Sequence, residues 1–373
     1  MTRAALLLAC LLGSVAAYAA EPVRIGITTI LSGPFADRGQ SEQYGAQLAL
    51  NEINQAGGVL GRPVEAFYAD NACKPDVGVP ATRRLIEQEH VAVLIGALCT
   101  PVTHAIMPLV AAAKVPLIIA TSAGQDFVDA SGVGGNDYLF KTIPSNLDIG
   151  QGLISYLGKH GVKSVAVVAD AGDFPRSTAV AFARAAEKAG MHVTADETVA
   201  QGTTDLGPLM EKLRASAPDA VLTALFGSTA PFFRAYEASG WKVPVSGRID
   251  FNAASAAVSP KFRDGGGLAD VTGIAVFSTA QAGAQDFVTS YRAHYGLTPT
   301  QRSFFVYEAV YLATDAIRRA GVDEPAAVKT ALKTTTMASR LGGTYAPDDH
   351  NHAHTPLLIL GMKDGKPGVI ATE

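Results

Sequence analysis

Short, uniformly apolar runs alternate with helix-patterned stretches along this 373-residue chain, and that alternation constrains its fold more than any other feature. Arg24 to Ile30, Val64 to Tyr68, Val91 to Ile95 and Val115 to Ile119 read as strands. Between them, Ser41 to Gln55 carries Ala46, Leu50 and Ile53 at helical spacing and is stopped by Gly57-Gly58. A second helix runs through Leu85 and Ile86, and Pro101 opens a third. A strand that is apolar throughout must be covered on both faces, so the pattern predicts a parallel sheet between two helical layers.

After a loop rich in Gly and Asp, Gly124 to Asp137, the alternation restarts. Val165 to Ala169, Val193 to Ala195 and Ala220 to Leu225 read as strands. The intervening helices are Ser177 to Ala189, a segment capped by Asp205 and running to Ala215, and Thr229 to Ser239. Then come a strand at Ile274 to Phe277 and helices at Gln285 to Tyr295, Ser303 to Arg319 and Glu324 to Lys333. A closing strand, Leu357 to Met362, ends at the turn Lys363 to Lys366. A chain of this length exceeds one ordinary core, so the reading is α/β with two doubly wound, Rossmann-like lobes. With 48% hydrophobic residues, 17% charged and a net charge of −4 spread along the chain, the protein is globular and presents no basic stretch for nucleic acid.

The N-terminus stands apart from this pattern. Arg3, an apolar run from Ala4 to Val15 and the small residues ending Ala17-Tyr18-Ala19 read as a cleaved signal peptide over residues 1–19. The run is too short to cross a bilayer, which takes about 20 residues. Leu7-Leu8-Ala9-Cys10 loosely resembles a lipoprotein site, but cleavage there leaves too short an apolar segment. The mature chain then keeps two cysteines, Cys73 and Cys99, either as a disulfide in an oxidising compartment or as two buried thiols.

Enzymatic motifs are missing: no G-x-x-x-x-G-K-[ST], no G-x-G-x-x-G after the first strand, no G-x-S-x-G and no H-E-x-x-H. No cofactor is implied. The run Asp348-Asp349-His350-Asn351-His352-Ala353-His354 reads as a polar loop before the final strand rather than a metal site. A doubly wound sheet binds ligands beyond the carboxyl ends of its strands. Two such ends carry small hydroxyl residues, Gly96-Ala97-Leu98-Cys99-Thr100 and Ala120-Thr121-Ser122-Ala123. They suit a carboxylate, or equally the capping of the helices that follow.

At these segments the chain resembles the periplasmic leucine/isoleucine/valine-type binding proteins of ABC importers. The likeness rests on Leu31-Ser32-Gly33-Pro34, Gly39, Ala49, Asn51-Glu52-Ile53-Asn54 and Gly57-Gly58-Val59-Leu60-Gly61. Asp70-Asn71-Ala72-Cys73-Lys74-Pro75, Val115-Pro116-Leu117-Ile118 and Phe305-Val306-Tyr307-Glu308-Ala309-Val310 continue it over essentially the whole mature chain. The resemblance implies a type I periplasmic binding protein architecture with a hinge, a Cys73–Cys99 disulfide, a monomer that hands its ligand to a membrane permease, and no catalysis. It divides the chain into 20–141 plus 275–345 for one lobe and 142–274 plus 346–373 for the other.

Site residues carry over where the motifs align. The resemblance implies that Thr100 and the loop at Thr121, Ser122 and Ala123 hold a carboxylate. It puts Phe174 at an aromatic position of the second lobe, and Asp250 as the acid nearest the place that meets a ligand ammonium. Three features depart from the family pattern: Arg38 replaces an aromatic, Pro175-Arg176-Ser177 follows Phe174 in place of a glycine-flanked tyrosine, and Arg248 adjoins the acid position. Alanine also stands at position 123, where the family carries a hydroxyl. The implied function is capture of a small, branched-chain or aliphatic amino acid by lobe closure. The alternatives are a ligand with a second carboxylate or an aromatic or other organic acid, read by Arg38 and Arg248 unless these sit on the rim and pair with surface acids, or a sensory ligand-binding module.

Overall fold

The computed structural model describes residues 21–200, 202–363 and 366–373, so the proposed leader lies outside the described residues. The first lobe is built from β1 (Val23–Thr29), α1 (Ala36–Gln55), β2 (Val64–Asp70), α2 (Pro75–Glu87), β3 (Val93–Gly96), α3 (Thr100–Ala113), β4 (Leu117–Ile119), α4 (Gln125–Asp129) and β5 (Leu139–Lys141). All five strands run parallel in the order β2-β1-β3-β4-β5. Every residue of β3, β4 and β5 is buried, as a sheet covered on both faces requires. Helix α1 starts five residues before the apolar pattern begins, because its first turn (Ala36, Asp37, Arg38) faces solvent and carries no core signal.

The second lobe contains α5 (Asn146–Lys159), β6 (Ser164–Asp170), α6 (Asp173–Lys188), β7 (His192–Val199), α7 (Gly207–Ala215), β8 (Ala220–Ala224), α8 (Thr229–Ser239), β9 (Val245–Gly247), α9 (Phe251–Ala257), α10 (Pro260–Asp264) and β10 (Thr272–Ala275). Its parallel sheet has the order β7-β6-β8-β9. The sequence reading passes over α5, yet Ser145-x-x-Asp148 is a capping box. Asp148 N donates to Ser145 Oγ at 3.0 Å, and Ser145 N donates to Asp148 Oδ2 at 2.8 Å. Ile149, Leu153, Ile154 and Leu157 then bury one helical face.

The chain returns to the first lobe with α11 (Gln285–Tyr295), α12 (Gln301–Ala320), α13 (Pro325–Lys333) and the short pair β11 (Met337–Ala338) and β12 (Thr344–Tyr345). Helix α12 packs along α1, where the Tyr307 and Tyr311 hydroxyls donate to Glu52 Oε2 at 2.6 and 2.5 Å. Finally β13 (Leu358–Lys363) pairs antiparallel with β10 and with β14 (Lys366–Thr372), a strand the sequence reading leaves as a tail. The chain therefore crosses between the sheets three times: after β5, after β10 and after β12. In the last crossing His352 bridges to Lys141 of β5, so the connections are tied to each other. No described helix is long and apolar enough to cross a membrane.

Candidate functional site

The first wall of the crevice forms where β3 and β4 end. Gly96 closes β3 with φ 132°, and a Cβ there would sit 2.2 Å from Thr28 O, so only glycine turns the chain at this point. The loop that follows is held by several ties. Cys99 is disulfide-bonded to Cys73. Thr103 Oγ1 donates to Ala97 O at 3.0 Å, and Ser122 Oγ lies 2.6 Å from Ala97 O and 3.0 Å from Leu98 O. The Ser122 hydroxyl thus joins the two strand-end loops to each other. Thr100 is buried in the first turn of α3, a turn whose backbone N–H groups have no acceptor within the helix. Thr121 Oγ1 is buried without a hydrogen-bond partner, and Ala123 O accepts from Asn146 N at 2.6 Å.

The opposite wall comes from the strand ends of the second lobe. Asp170, the last residue of β6, organises the loop after β8: its Oδ2 accepts from the backbone N–H of Phe226 and Gly227, both at 2.7 Å, and of Ser228 at 3.3 Å. Its Oδ1 is buried with no partner. Phe174, in the first turn of α6, lies against Phe226 with ring centroids 4.8 Å apart. Arg176 turns away from the crevice and pairs with Asp196 through both terminal nitrogens, at 2.9 and 3.2 Å. Gly247 repeats the role of Gly96: its φ is 130° and its Cβ would fall 2.2 Å from Thr223 O. The turn delivers Arg248, whose Nη1 is buried without a partner. Asp250 is exposed and caps α9, accepting from Ala253 N at 3.0 Å.

Between the walls lies a cluster that the sequence reading misses in part. Arg302, in the first turn of α12, has a buried Nε with no partner. Burial, and then the Arg38 charge, push its pKa down, while Glu42 and Asp37 oppose the fall. Burial and the nearby Arg302 charge lower Arg248 to about 10. Glu42 is buried on α1 and accepts from Thr29 Oγ1 at 2.5 Å. Burial raises it to about 6 against the pull of Thr29, Thr121 and Arg302. Its Oε1 nevertheless completes no well-formed hydrogen bond. Arg38 is exposed, its guanidinium 4.5 Å from the centre of the Phe35 ring. The lobes also meet directly, since α3 touches α6.

Asp170 lies one residue past the strand as read and goes unnamed there, although a lone acid ending an apolar strand was legible. Glu42 and Arg302 were not, because each sits on a helix where a charged residue reads as solvated surface. The histidine loop lies at the third crossing, where one ligand atom each from Asp148, His352 and His354 falls within 4.8 Å of the others. His352 is buried, and burial with the Lys141 charge lowers it to about 4. Taken together, the crevice offers hydroxyls, free backbone N–H groups, guanidiniums and an aromatic pair, a set suited to holding an anion.

Residues 22–366 match the family model of periplasmic binding proteins, and the chain belongs to that family, which is one of binding proteins rather than enzymes. A Leu/Ile/Val-binding protein homolog from Brucella melitensis is 26% identical over 94% of this chain and 94% of its own length. Among solved structures, the branched-chain amino acid transporter substrate-binding protein LivJ from Streptococcus pneumoniae, in complex with isoleucine, is 26% identical. It superposes with a TM-score of 0.76 over 95% of this chain and 99% of its own. An ABC transporter solute-binding protein from R. palustris, in complex with benzoate, shares the fold at 19% identity with a TM-score of 0.75, over 94% of this chain and 96% of its own.

Proposed function

We propose that this chain captures a small carboxylate-bearing solute in the periplasm, by closure of its two lobes, and delivers it to the permease of an ABC importer. Residues 1–19 would direct its export. The observation that carries this reading is the wall at Thr100 and Thr121: a helix start anchored by the Cys73–Cys99 disulfide, and a second strand end tied to it by the Ser122 hydroxyl. Free N–H groups and small hydroxyls held in place can bind a carboxylate without rearranging, which preserves affinity. Closure then brings Phe174 and Arg248 over the rest of the ligand.

Two ligand classes fit this wall. An aliphatic amino acid needs an acid for its ammonium, and Asp250 is exposed and already accepts from Ala253 N. Its neighbour Arg248 is half-buried with Nη1 wholly buried and unpartnered, which favours an organic acid over an amino acid. Thermal-shift screening of ligand-free protein against the aliphatic amino acids and a panel of aromatic and aliphatic acids separates the two. A raised Tm with acids lacking an ammonium, and none with leucine or isoleucine, is the expected result. Thr100→Val should weaken any such binding by about tenfold, the worth of one hydrogen bond to a charged group. Full affinity in that variant would place the carboxylate elsewhere.

A further inference from the structure

The strongest unexplained feature of the molecule is a set of arginines with no counter-ion. Among the described residues, none of Arg38, Arg248 and Arg302 takes part in an ion pair, although most other arginines on the chain that approach an acid do so. Two of the three have a nitrogen that is fully buried and bonded to nothing, Nη1 of Arg248 and Nε of Arg302. They come from different lobes, one after β9 and the other from the first turn of α12, and are close enough for one charge to depress the pKa of the other. Glu42 is the buried acid beside them, and its carboxylate is engaged by Thr29 rather than by a guanidinium. A guanidinium cannot shed its proton to relieve burial, and even one N–H left dry and unpaired is unfavourable. Such a pair persists where an anion completes it.

We infer that the solute carries two acidic groups, one held by the Thr100–Thr121 wall and the second clamped between Arg248 and Arg302. The inference rests on the binding-protein reading above and names its substrate class: a small dicarboxylic acid, or an acid with an equivalent second anion. The two seats are neighbours. Glu42 is held by Thr29 at the end of β1, the strand that runs beside β3 as far as Gly96, and Arg302 lies within electrostatic reach of Glu42, so a short skeleton spans them. Because Arg248 and Arg302 lie on opposite lobes, the second acid would also reward closure: it relieves their mutual repulsion only when both surround it. Arg38, at the mouth and within electrostatic reach of Arg302, would draw the dianion in.

The test uses full-length mature protein freed of bound solute, titrated by calorimetry with matched probes: benzoate against phthalate, and butyrate against succinate and glutarate. The dicarboxylate of a pair should bind about 100-fold more tightly than its monocarboxylate. Arg248→Gln and Arg302→Gln should each cut dicarboxylate affinity by about 10- to 100-fold, and so close most of the gap between a dicarboxylate and its monocarboxylate. In the same variants the Tm of ligand-free protein should rise, since an unpaired buried charge has been removed. A structural role would lower it. Monocarboxylates or amino acids binding as tightly as dicarboxylates, or arginine variants that keep dicarboxylate affinity, would overturn the inference and leave the binding-protein reading intact. Failure of every carboxylate to bind would overturn both.

Discussion

The two walls of the crevice are built alike and finished differently. Each begins with a glycine near φ 130° whose Cβ would collide with a carbonyl of the neighbouring strand: Gly96 against Thr28 in one lobe, Gly247 against Thr223 in the other. Beyond that shared turn, the first lobe fixes its loop by covalent and hydrogen-bonded ties through Cys99, Thr103 and Ser122. The second lobe fixes the loop after β8 through one carboxylate, Asp170, and leaves Arg248 with a donor unsatisfied. One wall is fixed in place without ligand, and the other holds a charged donor with nothing to pair it. A closing protein benefits from this asymmetry, because a preorganised wall holds the solute and an unsatisfied one supplies the drive to shut.

The comparison can be broken most forcefully at Asp170. Asp170→Ala leaves the N–H groups of Phe226, Gly227 and Ser228 without their acceptor, and each hydrogen bond to a charged group contributes about 1.5–3 kcal/mol. A loss of roughly 3–5 kcal/mol in urea unfolding is expected, with the second lobe losing order first in hydrogen exchange. A loss under about 1 kcal/mol would show that one acid does not organise this wall. Next in size is the disulfide. Cys73→Ser with Cys99→Ser, or reduction, should lower stability by about 3–4 kcal/mol from loop closure alone. It should also weaken carboxylate binding, because the Thr100 turn loses its anchor. Unchanged affinity for the carboxylate would mean that Ser122 and Thr103 hold that wall unaided.

Glu42 tests the space between the walls through pH. Its carboxyl is raised from 4.5 to about 6, chiefly by burial, so the folded protein binds this proton more tightly than the unfolded chain. The stabilisation is fully present below pH 4.5 and is lost as pH rises through 6. Glu42→Gln should therefore stabilise ligand-free protein by about 2 kcal/mol at pH 8 and by almost nothing at pH 4, measured from paired urea curves. A pH-independent difference would mean that Glu42 is held ionised throughout. The smallest effect belongs to Asp250→Ala, which removes the cap of α9 for about 1 kcal/mol. Ligand affinity should stay constant, whereas a tenfold loss would restore Asp250 as partner of a ligand ammonium.

How far the sequence reaches differs between fold and site. The strands after Arg24, Val91, Val165 and Ala220 and the helix Thr229–Ser239 were legible because buried parallel strands and amphipathic helices leave periodic marks. Helix α5 was marked too, by Ser145 and Asp148, yet its start lies just beyond a loop rich in glycine, where the reading stopped. Strand β14 escaped because its residues are mostly exposed and leave no apolar mark, although it pairs with its immediate neighbour β13. In the crevice, Thr100 and Thr121 follow strand ends that the alternation marks, whereas Phe174 is placed only by the family resemblance. Arg302 belongs to a helix that begins 200 residues after α3, and nothing local distinguishes it from a surface arginine.

By itself, then, the amino-acid sequence determined two parallel sheets, the glycines that end their strands and the family to which the chain belongs, because these depend on periodicity and local turns. Tertiary structure alone decided which charges share the crevice. Whether a guanidinium is solvated or buried, and whether an acid is near enough to pair with it, depends on elements brought together by three crossings between the lobes. Arg248 beside Arg302, Glu42 spent on Thr29 and Asp250 spent on a helix cap are facts of that assembly.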